Sequence, residues 1–129
     1  MLGIFLLPAA MTFPTSLLDA RLAREQAANE QARQRILAMT QCWLSNNATR
    51  YGIESGYFFG SVTMTGRFSN RSDVDLAVET HKTGDICALL GDLSMHINRN
   101  VDLIPLDQCH FAEKIRRIGL SWTQNVSLD

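Results

Sequence analysis

The chain has 129 residues, 46% of them hydrophobic and 19% charged, with 12 basic residues against 13 acidic ones. That is the size of a single domain able to bury its own core, so neither a disulfide framework nor a structural metal is needed to fold it. The near-neutral balance argues against a binder of long nucleic acid, which carries a basic excess or stripe.

The opening run, Met1 to Met11, is apolar. No Lys or Arg precedes it and Pro8 interrupts it, so it does not read as a secretory signal. It also falls short of the roughly 20 residues needed to cross a bilayer. The expectation is a flexible extension over residues 1–15, with Met11 as an alternative start, followed by one domain over residues 16–129. No later segment is long and apolar enough to enter a membrane. Cys42, Cys87 and Cys109 are odd in number and form no CxxC pair. They read as free, buried thiols of a cytoplasmic protein.

Ser16 followed by Asp19 resembles a capping box. From there to Leu44 the sequence has neither Pro nor Gly and is rich in strong helix formers. Ile36, Leu37, Thr40, Trp43 and Leu44 give the second half of this helix an apolar face. The first half offers mainly Ala20, Ala23, Ala27 and Ala28, so it should pack weakly or protrude, and the helix as a whole, from about Ser16 to Leu44, is a candidate docking surface. Ser45, Asn46 and Asn47 end it.

Three strand-like runs follow: Tyr57–Phe59, Val74–Glu79 and Val101–Leu106. A helix over Gly84–Met95, carrying Ile86, Leu89, Leu90 and Leu93, separates the last two. Phe111, Ile115 and Ile118 then recur on one side of an amphipathic closing helix. The pattern predicts a small α/β (α+β) fold, a short mixed sheet flanked by helices, one of them a long N-terminal helix.

Gly60 and Ser61 directly follow the first strand. A strand that ends in Gly-Ser and turns into a helix presents free backbone N–H groups to an anion such as phosphate. Asp73 and Asp75 stand at i and i+2 at the head of the second strand, which puts both carboxylates on one face. Two such charges are relieved by a hard cation; Mg²⁺ takes carboxylate and phosphate oxygens together, and two ions can serve an in-line displacement. Asp102 lies in Val101-Asp102-Leu103-Ile104, a strand otherwise fit for burial, where a lone acid needs a partner. If the two strands are neighbours, the three acids converge, and Asp102 is placed to accept a proton from an attacking hydroxyl.

Taken together, GSVTMTGRFSNRSDVDLAVE and NVDLIPL resemble the signature of the DNA polymerase β-like nucleotidyltransferases. The resemblance runs from Tyr57 to Leu106 and more loosely to Trp122. It implies a polymerase β-like nucleotidyltransferase fold. It implies Asp73, Asp75 and Asp102 as metal ligands and catalytic acids for two Mg²⁺ ions, and Gly60 and Ser61 as the cradle of the ATP triphosphate. The sequence departs from the pattern in one place: eleven residues separate Ser61 from Asp73, where the family's loop has ten. Larger members add domains that bind the acceptor, and little sequence follows the third strand here. The chain is thus similar to the minimal nucleotidyltransferase antitoxins, partners of HEPN-domain toxins. In that family the enzyme transfers AMP to a toxin tyrosine. The toxins' own signature, Arg followed four to six residues later by His, is met by none of His81, His96 and His110. A small-molecule nucleotidyltransferase of the aminoglycoside type and a non-catalytic protein that occludes its partner are the alternatives. Arg67 and Arg71 read as solvated loop charges, Cys109-His110 as a helix start or core pair, and Tyr57, Phe58, Phe59 and Trp43 as core.

Overall fold

The computed structural model describes the backbone of residues 2–80 and 84–123, and the side chains among them from residue 15 onward. His81, and the side chains that would test a separate N-terminal extension, lie outside those residues.

Helix α1 spans Leu2–Asn47. It runs straight through Ser16, so the expected capping box is not a helix start. Strong helix formers on both sides outweigh a single Ser, whose capping role needs non-helical backbone. Residues 15–28 are all exposed, with Leu17, Leu18 and Leu22 among them. This is the protruding half that the alanine-rich sequence anticipates. Farther on, Ile36, Thr40, Leu44 and then Ala48 are buried at intervals of four, one helical stripe facing the sheet. Thr40 is tolerated there because its hydroxyl donates to the Ile36 carbonyl at 2.7 Å.

The sheet has four strands: β1 (Ile53–Phe59), β2 (Val74–Thr80), β3 (Val101–Pro105) and β4 (Leu120–Thr123), in the order β3-β2-β1-β4. β1 is antiparallel to both β2 and β4, while β2 and β3 are parallel. The parallel pair requires a crossover, supplied by α2 (Ile86–Ile97). Asp85 caps that helix by accepting from the Ala88 N–H, and Asn98 closes it in the left-handed conformation.

α1 and α2 cover one face of the sheet. Ile36, Leu44, Phe58, Val74, Leu76, Val78, Leu89, Leu93, Ile97 and Trp122 form the main core there. A second cluster on the other face joins Ala77, Leu106, Ala112 and Ile115, with Tyr57 and Phe59 packed against it. β2 is central, and its middle, Leu76-Ala77-Val78, is buried on both faces, whereas Asp75 near its start and Glu79 and Thr80 at its end are not.

Several expectations change. The closing helix α3 (Ala112–Ile118) buries Ala112 and Ile115, whereas Phe111 and Ile118 are 41% and 59% exposed. Seven residues are too short a helix for the full i, i+4, i+7 stripe to reach the sheet. β4 is an additional strand; Trp122 enters the core opposite Gly56, where a Cβ would stand only 3.0 Å from the indole Nε1. The cysteines are free, but Cys42 and Cys87 are exposed and Cys109 is half-buried. His110 is exposed, its ring edge-on to Phe111 at 5.3 Å. Trp43 is half-buried and packs on Tyr51 and His96.

Candidate active site

The candidate residues meet at one end of the sheet, where β1 finishes and the parallel strands β2 and β3 begin. Asp75 and Asp102 are direct partners across the β2–β3 pair, and Phe59 is the partner of Asp75 on the β1 side. Residues paired in register project to the same face. The two acids therefore share the face opposite the main core. Asp73 lies two residues before Asp75, just ahead of the strand, and is exposed.

Asp102 is exposed too. The idea that burial makes this acid costly does not hold: β3 is the edge strand, and its carboxylate side is open to solvent. Asp75 is the half-buried member. Its carboxyl is pushed above the ordinary Asp value, first by burial and then by the charges of Asp102 and Asp73. Asp75 thus feels the charges of both other acids on top of its own burial.

Gly60 has φ +73°, the left-handed region that favours glycine. A Cβ there would lie 2.2 Å from Asp75 Oδ2. The Gly-Ser backbone is thus pressed against the central carboxylate, so the two halves of the motif form one site. Gly60–Thr63 is a single 3₁₀ turn rather than the start of a long helix. Four residues build little macrodipole, so such a turn can offer an anion only local N–H donors.

Among the described residues, no three His, Cys, Asp or Glu side chains are gathered closely enough to form a ready metal cage. Mg²⁺ does not ask for one: it binds through one or two carboxylates, with substrate phosphates and water completing its shell. A carboxylate raised first by burial and then by two carboxylate neighbours, beside a turn with room for nothing larger than glycine, fits that donor set.

Two features escape the sequence reading. Arg33 of α1 donates to the Val62 carbonyl, reaching the Gly-Ser turn from 29 positions away; only the three-dimensional packing brings it there. An open cleft of about 440 Å³ lies beside Asp73, walled by residues 70–73 and 98–100. Arg99 fixes one wall by donating to the Ser69 and Ser72 carbonyls at 3.1 and 2.7 Å, with its guanidinium 4.6 Å above the Phe68 ring. In the sequence its walls show only as two separate polar runs, Asn70-Arg71-Ser72-Asp73 and Asn98-Arg99-Asn100. Arg67 and Arg71 are exposed, as loop charges should be.

The raised carboxyl of Asp75 links the site to stability. Folded Asp75 holds its proton more tightly than the unfolded chain does, so ionising it as pH rises lowers stability. Below the ordinary Asp range both states are protonated and the penalty is absent. Asp75→Asn should therefore melt above the wild type at neutral pH in chelator, and the gap should narrow as pH falls through the carboxylate range. Thermal melts of both proteins between about pH 3 and 7 measure this; a gap that is absent at neutral pH, or constant with pH, contradicts it.

No family model matches the chain, and no curated protein does. Among solved structures the chain is similar to one described as the crystal structure of the toxin-antitoxin MntA-HepT, at 21% identity and a TM-score of 0.44, covering 72% of this chain and 70% of that one.

Proposed function

We propose that the protein is a nucleotidyltransferase that moves AMP from ATP to a hydroxyl of another molecule. Within that class we propose an antitoxin whose acceptor is a tyrosine of a HEPN-domain ribonuclease toxin, as the motif resemblance implies. The observation that carries the reading is the pairing of Asp75 with Asp102 while Gly60 abuts Asp75.

Asp73 and Asp75, with Asp102, would hold Mg²⁺, which supplies charge neutralisation at the phosphates. Gly60 and Ser61 receive the triphosphate on backbone N–H groups and the Ser61 hydroxyl. Asp102, exposed beside Asp75, is free to face an incoming hydroxyl and accept its proton. The hydroxyl oxygen bonds to the α-phosphorus, the bond to the bridging oxygen breaks, and pyrophosphate leaves. Phe59, half-buried, is the cross-strand neighbour of Asp75 on the β1 side.

A catalyst turns over, whereas an occluding partner acts one to one. Small amounts of the protein with ATP and Mg²⁺ should inactivate an excess of the toxin, which should stay inactive after the protein is removed. The toxin's mass should rise by whole AMP units on a tyrosine peptide, and chelator should prevent it. Stoichiometric inhibition without ATP and without a mass change would reject the enzymatic reading.

A further inference from the structure

The Gly60–Thr63 turn is clamped at three successive carbonyls. The Thr63 hydroxyl donates to the Gly60 carbonyl at 2.7 Å, and the Met64 N–H donates to the Ser61 carbonyl at 3.0 Å. The third, the Val62 carbonyl, accepts from Arg33 Nη1 at 3.0 Å. The first two clamps are local to the turn. The third comes from α1 and fixes the turn against a separate element.

Arg33 is itself held. Its Nε and Nη2 donate to the two carboxylate oxygens of Glu30 at 2.8 and 2.6 Å, a two-pronged pair that leaves Nη1 for Val62. Its side chain is 13% exposed, so water competes weakly for the guanidinium. The Glu30 carboxyl is held down at about 2, chiefly by its hydrogen bond with Arg33 and next by that with Gln34. Val62, whose carbonyl takes the bond, has a fully buried side chain.

An anion approaching a turn of this kind is attracted by N–H groups and repelled by any carbonyl that swings toward it. A carbonyl already engaged in a hydrogen bond is not free to swing toward the anion, and all three carbonyls of the turn are so engaged. The geometry points to Arg33, oriented by Glu30, as a positioning residue for the phosphate-binding turn: α1 sets the attitude of Gly60 and Ser61 through the Val62 carbonyl. This rests on the nucleotidyltransferase reading, and it adds a role for a helix outside the motif.

The test uses the full chain carrying Arg33→Ala, Arg33→Lys or Glu30→Gln. Losing one charge-assisted bond to the turn should raise the KM for ATP about tenfold in Arg33→Ala. The contact serves ground and transition states alike, so kcat should change by less than about threefold. Amide exchange of residues 61–64 should quicken while that of β2 does not. Arg33→Lys restores a charged donor and should recover most of the affinity; Glu30→Gln, which keeps the guanidinium but loosens it, should fall between. Unchanged KM and unchanged exchange in Arg33→Ala would overturn the role of Arg33 alone. So would a joint fall of kcat, affinity and melting temperature that lysine does not rescue, which marks a merely structural residue. A wild type that binds no ATP with Mg²⁺ would overturn this and the nucleotidyltransferase reading together.

Discussion

Replacing Asp73 and Asp75 together by Asn should reduce AMP transfer by about 10³-fold or more. Asn keeps the shape of each side chain but removes the charge that a divalent cation requires. Phosphoryl-centre chemistry leaves the protein little to do beyond positioning and charge neutralisation, so removing the carboxylates removes most of the rate. The fold should survive. Asp73 is exposed, and Asp75 is a half-buried acid pressed by Asp102 and Asp73, so its neutral replacement relieves repulsion. The double variant should melt no lower than wild type. Transfer within tenfold of wild type in a folded double variant would place the chemistry elsewhere.

Gly60→Ala should have the second-largest effect, by a different route. The backbone at Gly60 sits at φ +73°, so any Cβ is strained there whatever the space. The new methyl would also stand 2.2 Å from Asp75 Oδ2, so the carboxylate has to swing away. Strain should lower stability by about 1 kcal/mol or more, roughly 3–6 °C in melting temperature for a domain of this size. Displacing the central carboxylate by about 1 Å should cost about 10²-fold in transfer. Gly66→Ala provides the control. Gly66 also has positive φ, +85°, but nothing lies within 4 Å of its Cβ position. It should lose similar stability and keep its activity. Equal transfer losses in the two variants would mean that the Gly60 contact with Asp75 does not matter.

The acidic motif was legible in the sequence because its meaning is local. The period of a strand puts Asp73 and Asp75 on one face in the sequence, although Asp73 stands just ahead of β2; the sequence leaves open whether the second and third strands are neighbours, and their parallel pairing is what brings Asp102 to Asp75. Exposure was not legible. Asp102 sits among aliphatic residues, and only the strand order shows that they belong to an edge. β4 was missed because Leu120–Thr123 is short and its alternation rests on Leu120 and Trp122 alone; Gly56, which makes room for Trp122, lies far away in β1. Arg33 was invisible for the same reason. It occupies a polar helical stretch where its spacing signals only the Glu30 pair, and its bond to Val62 exists only in the folded chain.

The pairing of β2 with β3 makes the length of one connection a chemical quantity. Surface connections usually tolerate insertion and deletion. The turn between α2 and β3 is pinned at both ends: Asn98 is fixed in the left-handed conformation, and the Asn100 carbonyl accepts from the Val74 N–H at 3.0 Å. Side chains alternate along a strand, so a slip of one residue in β3 would exchange its two faces. Asp102 would turn into the layer under α1 and α2, and Leu103 would take its place beside Asp75. The aliphatic residues of β3 could still be accommodated, but the third acid would be gone. Residues 98–100 therefore act as a spacer whose count keeps Asp102 beside Asp75 and out of the layer under α1 and α2, and length variation among related chains should be rarer there than in the loop between Gly66 and Asp73.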